Sequence, residues 1–210
     1  MMRQAFGSIA KRVDGLSRPA RLALCLMVAF LFGLTVSHIP AWVGNLAAPW
    51  LALPFLAGWV QRSWLWSAVT GVLAVEVCVA AFYLNTLPPL DPVYLGLAPS
   101  TSHAGVVVAA VAWWLGFHSQ WFTLGVPAGL VFGLLGCWWG RSRLMIAGFF
   151  LAAPFLLEPA ANVRTVALHA YTMPLHAYVV WVIEAGVGLA LLAWVVANSG
   201  SRKRGLAASE

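Results

Sequence analysis

Residues 104–117 read "AGVVVAAVAWWLGF", and the placement of this stretch decides the fold. As a helix it would measure about 21 Å at 1.5 Å per residue, short of the roughly 30 Å hydrocarbon layer of a bilayer. Other apolar runs, at about 21–39, 41–61, 64–85, 120–140, 144–160 and 176–197, read as full crossings. They are continuous and not alternating, so their backbone hydrogen bonds close within helices and not within a barrel.

The basic residues choose between seven crossings and six. If 104–117 crosses and the N-terminus is inside, seven of the twelve Lys and Arg lie inside and five outside. If it enters and returns, or lies at the surface, Arg164 alone lies outside. The positive-inside rule selects the second arrangement. Irregular backbone at membrane depth must pack on protein or line a wet cavity, so this arrangement also predicts a polar cavity near 86–103.

Composition agrees. The chain is 62% hydrophobic and 9% charged, where soluble domains carry about 25% charge. Its net charge of +6 comes from bases that flank the apolar runs. They read as topology signals facing an anionic leaflet, and nucleic acid is not a partner. The expected fold is an all-α integral membrane protein of six transmembrane helices with a short re-entrant or surface helix at about 104–117. Residues 1–20 form a basic cytoplasmic segment, with Phe6, Ile9, Val13 and Leu16 at the spacing of an interfacial helix. Residues 21–197 form one polytopic domain, and 198–210 a basic cytoplasmic tail. The first apolar run is a full-length span with no small-x-small site close behind it, so it reads as retained. Cys25, Cys78 and Cys137 each sit in an apolar run without a CxxC partner and read as small buried residues.

A repeat is also visible. With an offset of 79, residues 42–81 match 121–160 at ten of forty positions, including Trp59, Arg62 and Ser63 on Trp138, Arg141 and Ser142. Two hairpins of one orientation, a parallel repeat, put both Arg-Ser turns on the same side. Gly125, Gly129 and Gly133 make successive GxxxG steps, and Gly136 and Gly140 add another, the pattern of close helix approach. Trp42, Trp121 and Trp181 fall at outer span ends, and Trp59, Trp64, Trp138, Trp139 and Trp194 at inner ends, as interfacial belts.

In this topology the ionisable residues gather in the outer half. Glu76 and Glu184 lie at similar depth, about 13 Å and 12 Å from the outer ends of their spans. A carboxylate there is costly unless protonated, paired or hydrated, and marks a functional site by default. Glu158, Asp91, His103, His169 and His176 complete the ligand-binding candidates. Pro174 keeps His169 and His176 off one helix, so a helical metal pair is excluded, while a loop site with Glu158 or Asp91 stays open. No residue is assigned as catalytic, and no pattern names a cofactor.

Pro99–Gly105, "PSTSHAG", resembles the Pro-Ser-Gly-His motif of the type-2 phosphatidic acid phosphatases, and Lys11–Pro19, "KRVDGLSRP", fits that family's Lys-x6-Arg-Pro motif. The resemblance implies that these residues converge on one phosphate. The charge count instead puts Lys11 and Arg18 inside and His103 at the outer side, and the family's Ser-Arg-x5-His-x3-Asp motif has no match. The stretch reads better as a helix start, with Ser100, Thr101 or Ser102 as the N-cap.

"APWLALPFLAGWVQRSWLWSAVTG" (48–71) and "AGLVFGLLGCWWGRSRLMIAG" (128–148) are similar to a family of roughly 200-residue actinobacterial membrane proteins of unknown function. That family carries a Phe-Leu-Ala-Gly stretch before a basic turn, here Phe55–Gly58 with Arg62, and a Gly-rich helix ending in Trp-Trp and Arg, here Gly125–Arg141. The resemblance implies one duplicated membrane domain of a bacterial plasma membrane, and the charge count places both termini in the cytoplasm. It supplies no activity.

Three function classes follow, in order. The first is binding or transport of a small solute or cation at an outward-facing polar site. Size and span count also resemble the substrate-binding subunits of energy-coupling-factor vitamin transporters. The second is a non-catalytic subunit or assembly factor held by a partner membrane protein. The third is an outer-face enzyme on lipid-linked substrates, drawing on His103, His118, His169 and His176 with Asp91 or Glu158. Lipids are partners in every case.

Overall fold

A computed structural model describes residues 15–39, 46–61, 63–169 and 174–199, without the side chains of His169 and His176. The interfacial helix expected before Asp14, Lys11, Trp42, Arg62 and the basic tail after 199 lie outside the described residues. Those described form helices and connecting turns, with no strand among them. The order is α1 (Arg18–Val36), α2 (Ala47–Gln61), α3 (Trp64–Tyr83), a 3₁₀ turn (Leu84–Thr86), α4 (His103–Phe117), α5 (Ser119–Ser142), α6 (Met145–His169) and α7 (Leu175–Asn198).

Local chemistry sets the ends. Ser17 caps α1, accepting from Ala20 N–H at 3.4 Å, with Pro19 in the first turn where its missing N–H costs nothing. Ser102 caps α4, accepting from Gly105 N–H at 3.3 Å, so "PSTSHAG" is a helix start. Between α5 and α6 the chain turns at Arg143, which takes a left-handed φ of 53°. Pro54, Pro127, Pro154 and Pro159 sit inside helices. The run expected to stop at 160 continues to His169 because its last ten residues contain no glycine or proline and Thr165 bonds back to Ala161 O.

By length and composition α1, α3, α5, α6 and α7 are able to cross a membrane. The apolar stretch at 104–117 forms the 15-residue α4, too short by the same measure. It buries only the stripe Val106, Ala110 and Trp114. α2 also has 15 described residues; the first part of the run expected at 41–61 lies outside the described residues.

The glycine face of α5 organises the packing. α5 lies in the groove between α2 and α3 and packs far less on α6, its successor in sequence. The contact moves from α3 to α2 along the helix. Gly125 faces Val75 and Glu76, Gly129 faces Gly71 and Val72, Gly133 faces Ser67 and Gly58, and Gly136 and Gly140 face Phe55 and Trp59. A Cβ on Gly133 would stand 2.5 Å from Ser67 O, so any side chain there would meet backbone. Ser67 itself donates to Gly58 O at 2.8 Å, tying α3 to α2 at this crossing. α1 packs on α3, and α6 pairs with α7. Cys78 and Cys137 are fully buried among these helices, as small apolar residues would be.

Four arginines mark one end of the bundle. Arg18 and Arg21 start α1, and Arg21 Nη1 donates to Val60 O near the end of α2 at 3.1 Å. Arg141 lies over Trp64, and Arg143 over Trp59 and Trp139. Trp139 departs from the expected belt. It is fully buried against Val195 and Trp194 because glycine at 148 leaves room for its ring. Arg164, near the far end of α6, stands apart from this group.

Candidate functional site

The opposite end holds the candidate site. A helix start leaves N–H groups without partners and carries partial positive charge. α2 has no acidic residue in its first turn. Its cap comes instead from α6, 111 residues away: Glu158 Oε1 accepts from Ala47 N–H and Oε2 from Ala48 N–H, both at 2.8 Å. One carboxylate thus takes two orphan donors.

Glu184 of α7 lies against this carboxylate. Gly188 packs on Phe155 and Leu156 of α6, and one turn back along α7 this register brings Glu184 beside Glu158, close enough for the two charges to interact. Glu184 is 4% exposed; no N–H or hydroxyl donates to either of its buried oxygens, and the side chain they meet is the Glu158 carboxyl. A buried carboxyl with no donor, next to a second carboxyl, demands a proton or a cation.

Glu76 is elsewhere. Its Oε1 is buried without a hydrogen-bond partner and packs over Gly125 of α5. The depth match between Glu76 and Glu184 therefore does not make them a pair. Between α2, α3 and α5 runs a cavity of about 270 Å³ lined by Ala47, Gly125 and an aromatic wall of Trp50, Phe82, Tyr83 and Trp121. Its lining is almost wholly apolar, and it lies among helices, not in the polar form expected near 86–103.

The remaining candidates disperse. Asp91 is exposed in the loop after α3 and accepts from Val93 N–H at 2.9 Å, a local turn contact. His103 is exposed at the start of α4. His169 ends α6 and His176 lies in the first turn of α7, on separate helices as Pro174 requires. Among the described residues no group of three or more His, Cys, Asp or Glu is placed to hold a metal ion.

His118, named above only for the enzyme reading, is buried at 4% exposure between α4 and α5. It stacks on Tyr83, with ring centroids 3.9 Å apart. Thr86 Oγ1 donates to Tyr83 O at 2.7 Å and lies 2.9 Å from His118 Nε2. The single hydroxyl proton is thereby used, so Nε2 carries the hydrogen and donates. Trp114 Nε1 donates to Tyr83 O at 2.8 Å and closes the cluster. The available signal was its setting in "WWLGFHSQWF" (113–122), an imidazole among aromatic residues.

Burial lowers the His118 pKa below the ordinary imidazole value. A depressed folded-state value means full stability above the unfolded value, about 6.5, and loss as pH falls toward the folded value. The melting midpoint should therefore fall as the pH drops below about 6.5. His118→Phe keeps the stack on Tyr83 and should flatten that part of the profile. A variant profile parallel to wild type would show that His118 does not carry the effect.

No family model, no curated protein and no solved structure matches this chain. Function must be read from the chemistry of these groups.

Proposed function

We propose that the chain is a six-span bacterial plasma-membrane protein with both termini on the arginine side, and that its outer half binds or transports a small solute or cation. The observation that carries this reading is Glu184: two buried carboxyl oxygens without donors, facing the Glu158 carboxylate on the end of α2. A compact cation, or a proton, supplies what the pair lacks. Glu76 adds a third acid at the same end of the bundle.

The topology draws support from the arginines gathered at one end and from the shortness of α4. The repeat draws support from the helix breaks. An offset of 79 lays the break at 62–63 on 141–142, two residues before the observed break at 143–144. The two hairpins differ in closure, since α2 and α3 pack together while α5 turns its glycine face away from α6.

The test is thermal unfolding in Na⁺, K⁺ or Li⁺ at constant ionic strength. A bound cation at about 100 times its Kd adds about 2.7 kcal/mol, a shift of several degrees. One cation should raise the midpoint in wild type and fail to do so in Glu184→Gln. If no cation separates from the others, and pH acts equally on wild type and Glu184→Gln, the reading falls. Topology has its own check: a cysteine introduced by Ser142→Cys should react with an impermeant reagent only from the cytoplasmic face. Labelling from outside would sink the six-span arrangement.

A further inference from the structure

We infer that the groove between α6 and α7 holds an anionic phospholipid, with its phosphate on Arg164 and an acyl chain along the apolar wall below. The inference goes beyond the cation reading: it needs the membrane setting and neither carboxyl of the acid pair.

Arg164 is the odd base of this chain. The other described arginines, Arg18, Arg21, Arg141 and Arg143, belong to the opposite end of the bundle. A base on the outer side runs against the positive-inside rule, so its place there calls for a charge to answer it. The described residues supply none. Arg164 is exposed, and no ion pair with a described residue holds its guanidinium. Glu158, earlier on α6, has both oxygens on Ala47 N–H and Ala48 N–H. At 3.6 residues per turn it also leaves the helix about 120° away from Arg164.

The groove that Arg164 lines has a volume of about 550 Å³, inside the range of about 300–1,000 Å³ typical of ligand sites. Leu156, Val163 and Ala167 of α6 form one wall, and Tyr178, Val182 and Ala185 of α7 the other. α6 ends at His169 and α7 starts at Leu175, so Arg164 and Tyr178 stand at the rim. Leu156, which meets Gly188, lies at the deep end. Between Leu156 and Arg164 the helix climbs about 12 Å. Trp181, 7% exposed, lines the groove edge-on to Tyr178, with ring centroids 5.3 Å apart. Tryptophan and tyrosine favour the level where headgroups meet chains.

The lining is therefore cationic at the rim and apolar below it, and no acidic side chain belongs to it. An anionic amphiphile matches both parts. A guanidinium offers a phosphate two parallel N–H donors, and its long stem carries it to the headgroup level. An uncharged lipid covers the wall and leaves the guanidinium unanswered. A free phosphate answers the guanidinium and leaves the exposed Val163 and Val182 uncovered. A zwitterionic lipid brings a second cation to the same rim. A membrane helix bearing a carboxylate is the competing occupant.

The experiment titrates the full chain, in a non-ionic detergent, with three probes. Dioleoylphosphatidylglycerol carries phosphate and chains, dioleoylglycerol the chains alone, and glycerol phosphate the phosphate alone. Readouts are the melting midpoint and the lipid retained in native mass spectrometry. Phosphatidylglycerol should stabilise saturably and stay bound. The other two should act about tenfold more weakly, the factor that one charge-assisted hydrogen bond provides. Arg164→Gln should reduce the phosphatidylglycerol response to that of dioleoylglycerol, and Arg18→Gln, at the other end, should keep the wild-type response. Equal responses to the two lipids, or an unchanged response in Arg164→Gln, would overturn the inference in favour of an apolar groove. Equal loss in both arginine variants would overturn it in favour of general charge attraction. Glycerol phosphate as potent as the lipid would reduce the site to a surface anion contact, and no response to any probe would leave the groove to a protein partner; both outcomes refute the inference. Should Arg164→Gln fail to fold, the wild-type comparison of the three probes decides alone. Alkali-cation stabilisation and its loss in Glu184→Gln are read separately, so either reading can fail while the other stands.

Discussion

Gly136→Val should prevent the bundle from assembling. A Cβ at 136 would lie 2.8 Å from Trp59 N and would also run into Phe55 O, both backbone atoms of α2. Backbone does not yield by rotamer change, so α5 would have to leave its groove. Overpacking typically costs about 1–3 kcal/mol where side chains can move, and the upper end or more applies here. The same face meets α3 at Gly129 and Gly133, so a shift of α5 at one point disturbs the others. The internal control is Gly186, on α7, where an added Cβ meets nothing within 4 Å. Gly186→Ala should leave the midpoint unchanged or raise it, since alanine is favoured over glycine in a helix by about 0.5–1 kcal/mol. Thermal unfolding of the two variants in one detergent is the measurement. Equal midpoints would mean that the glycine face does not hold α5 in place.

The second large effect is a difference in sign between two neighbouring acids. Glu158→Leu removes the acceptor from Ala47 N–H and Ala48 N–H and the negative charge from the positive end of α2. Charge-assisted hydrogen bonds contribute about 1.5–3 kcal/mol each when buried. These are partly exposed, so a total loss of about 2–3 kcal/mol is expected. Glu184→Leu removes a buried carboxyl that has no donor and replaces it with an apolar group of similar size. Such replacements are often neutral or stabilising by about 1–4 kcal/mol. Without added cation, the Glu158 variant should melt lower than wild type and the Glu184 variant no lower. If both melt lower by the same amount, the two carboxyls act as one structural pair, and the division of roles between them is wrong.

The helices were legible because membrane crossings announce themselves by apolar length. All seven expected segments have helical counterparts among the described residues, and α4 begins one residue before its expected start. The glycine face was legible for the same reason, since a spacing of four residues survives any tertiary arrangement. The site was only half legible. Glu184 could be singled out as a costly acid and Glu158 as a candidate ligand, but their meeting depends on the register of α6 on α7. The tie from Glu158 to α2 joins residues 111 apart, and no local pattern encodes it. Depth put Glu76 and Glu184 at one level, and depth says nothing about azimuth: Glu76 faces α5. His118 entered the enzyme reading but not the ligand-binding candidates, because a lone histidine carries no spacing signal; only the aromatic residues around it hinted at burial. Trp139 misled because tryptophan near a span end reads as a belt residue, while Gly148 on another helix made a core slot for it.

The unequal grip of α5 on its neighbours divides the molecule mechanically. With α2 and α3 it meets backbone to backbone, so that block behaves as a stator with no room to slide. The α6–α7 pair is hung from it more loosely, through the Trp139–Val195 contacts near the arginine end and the Glu158 clasp on α2 at the other. Discharging the clasp frees one end of the pair and leaves the other as a pivot. The end opposite the arginines would then open by a swing of the α6–α7 pair, with the glycine-packed block unmoved.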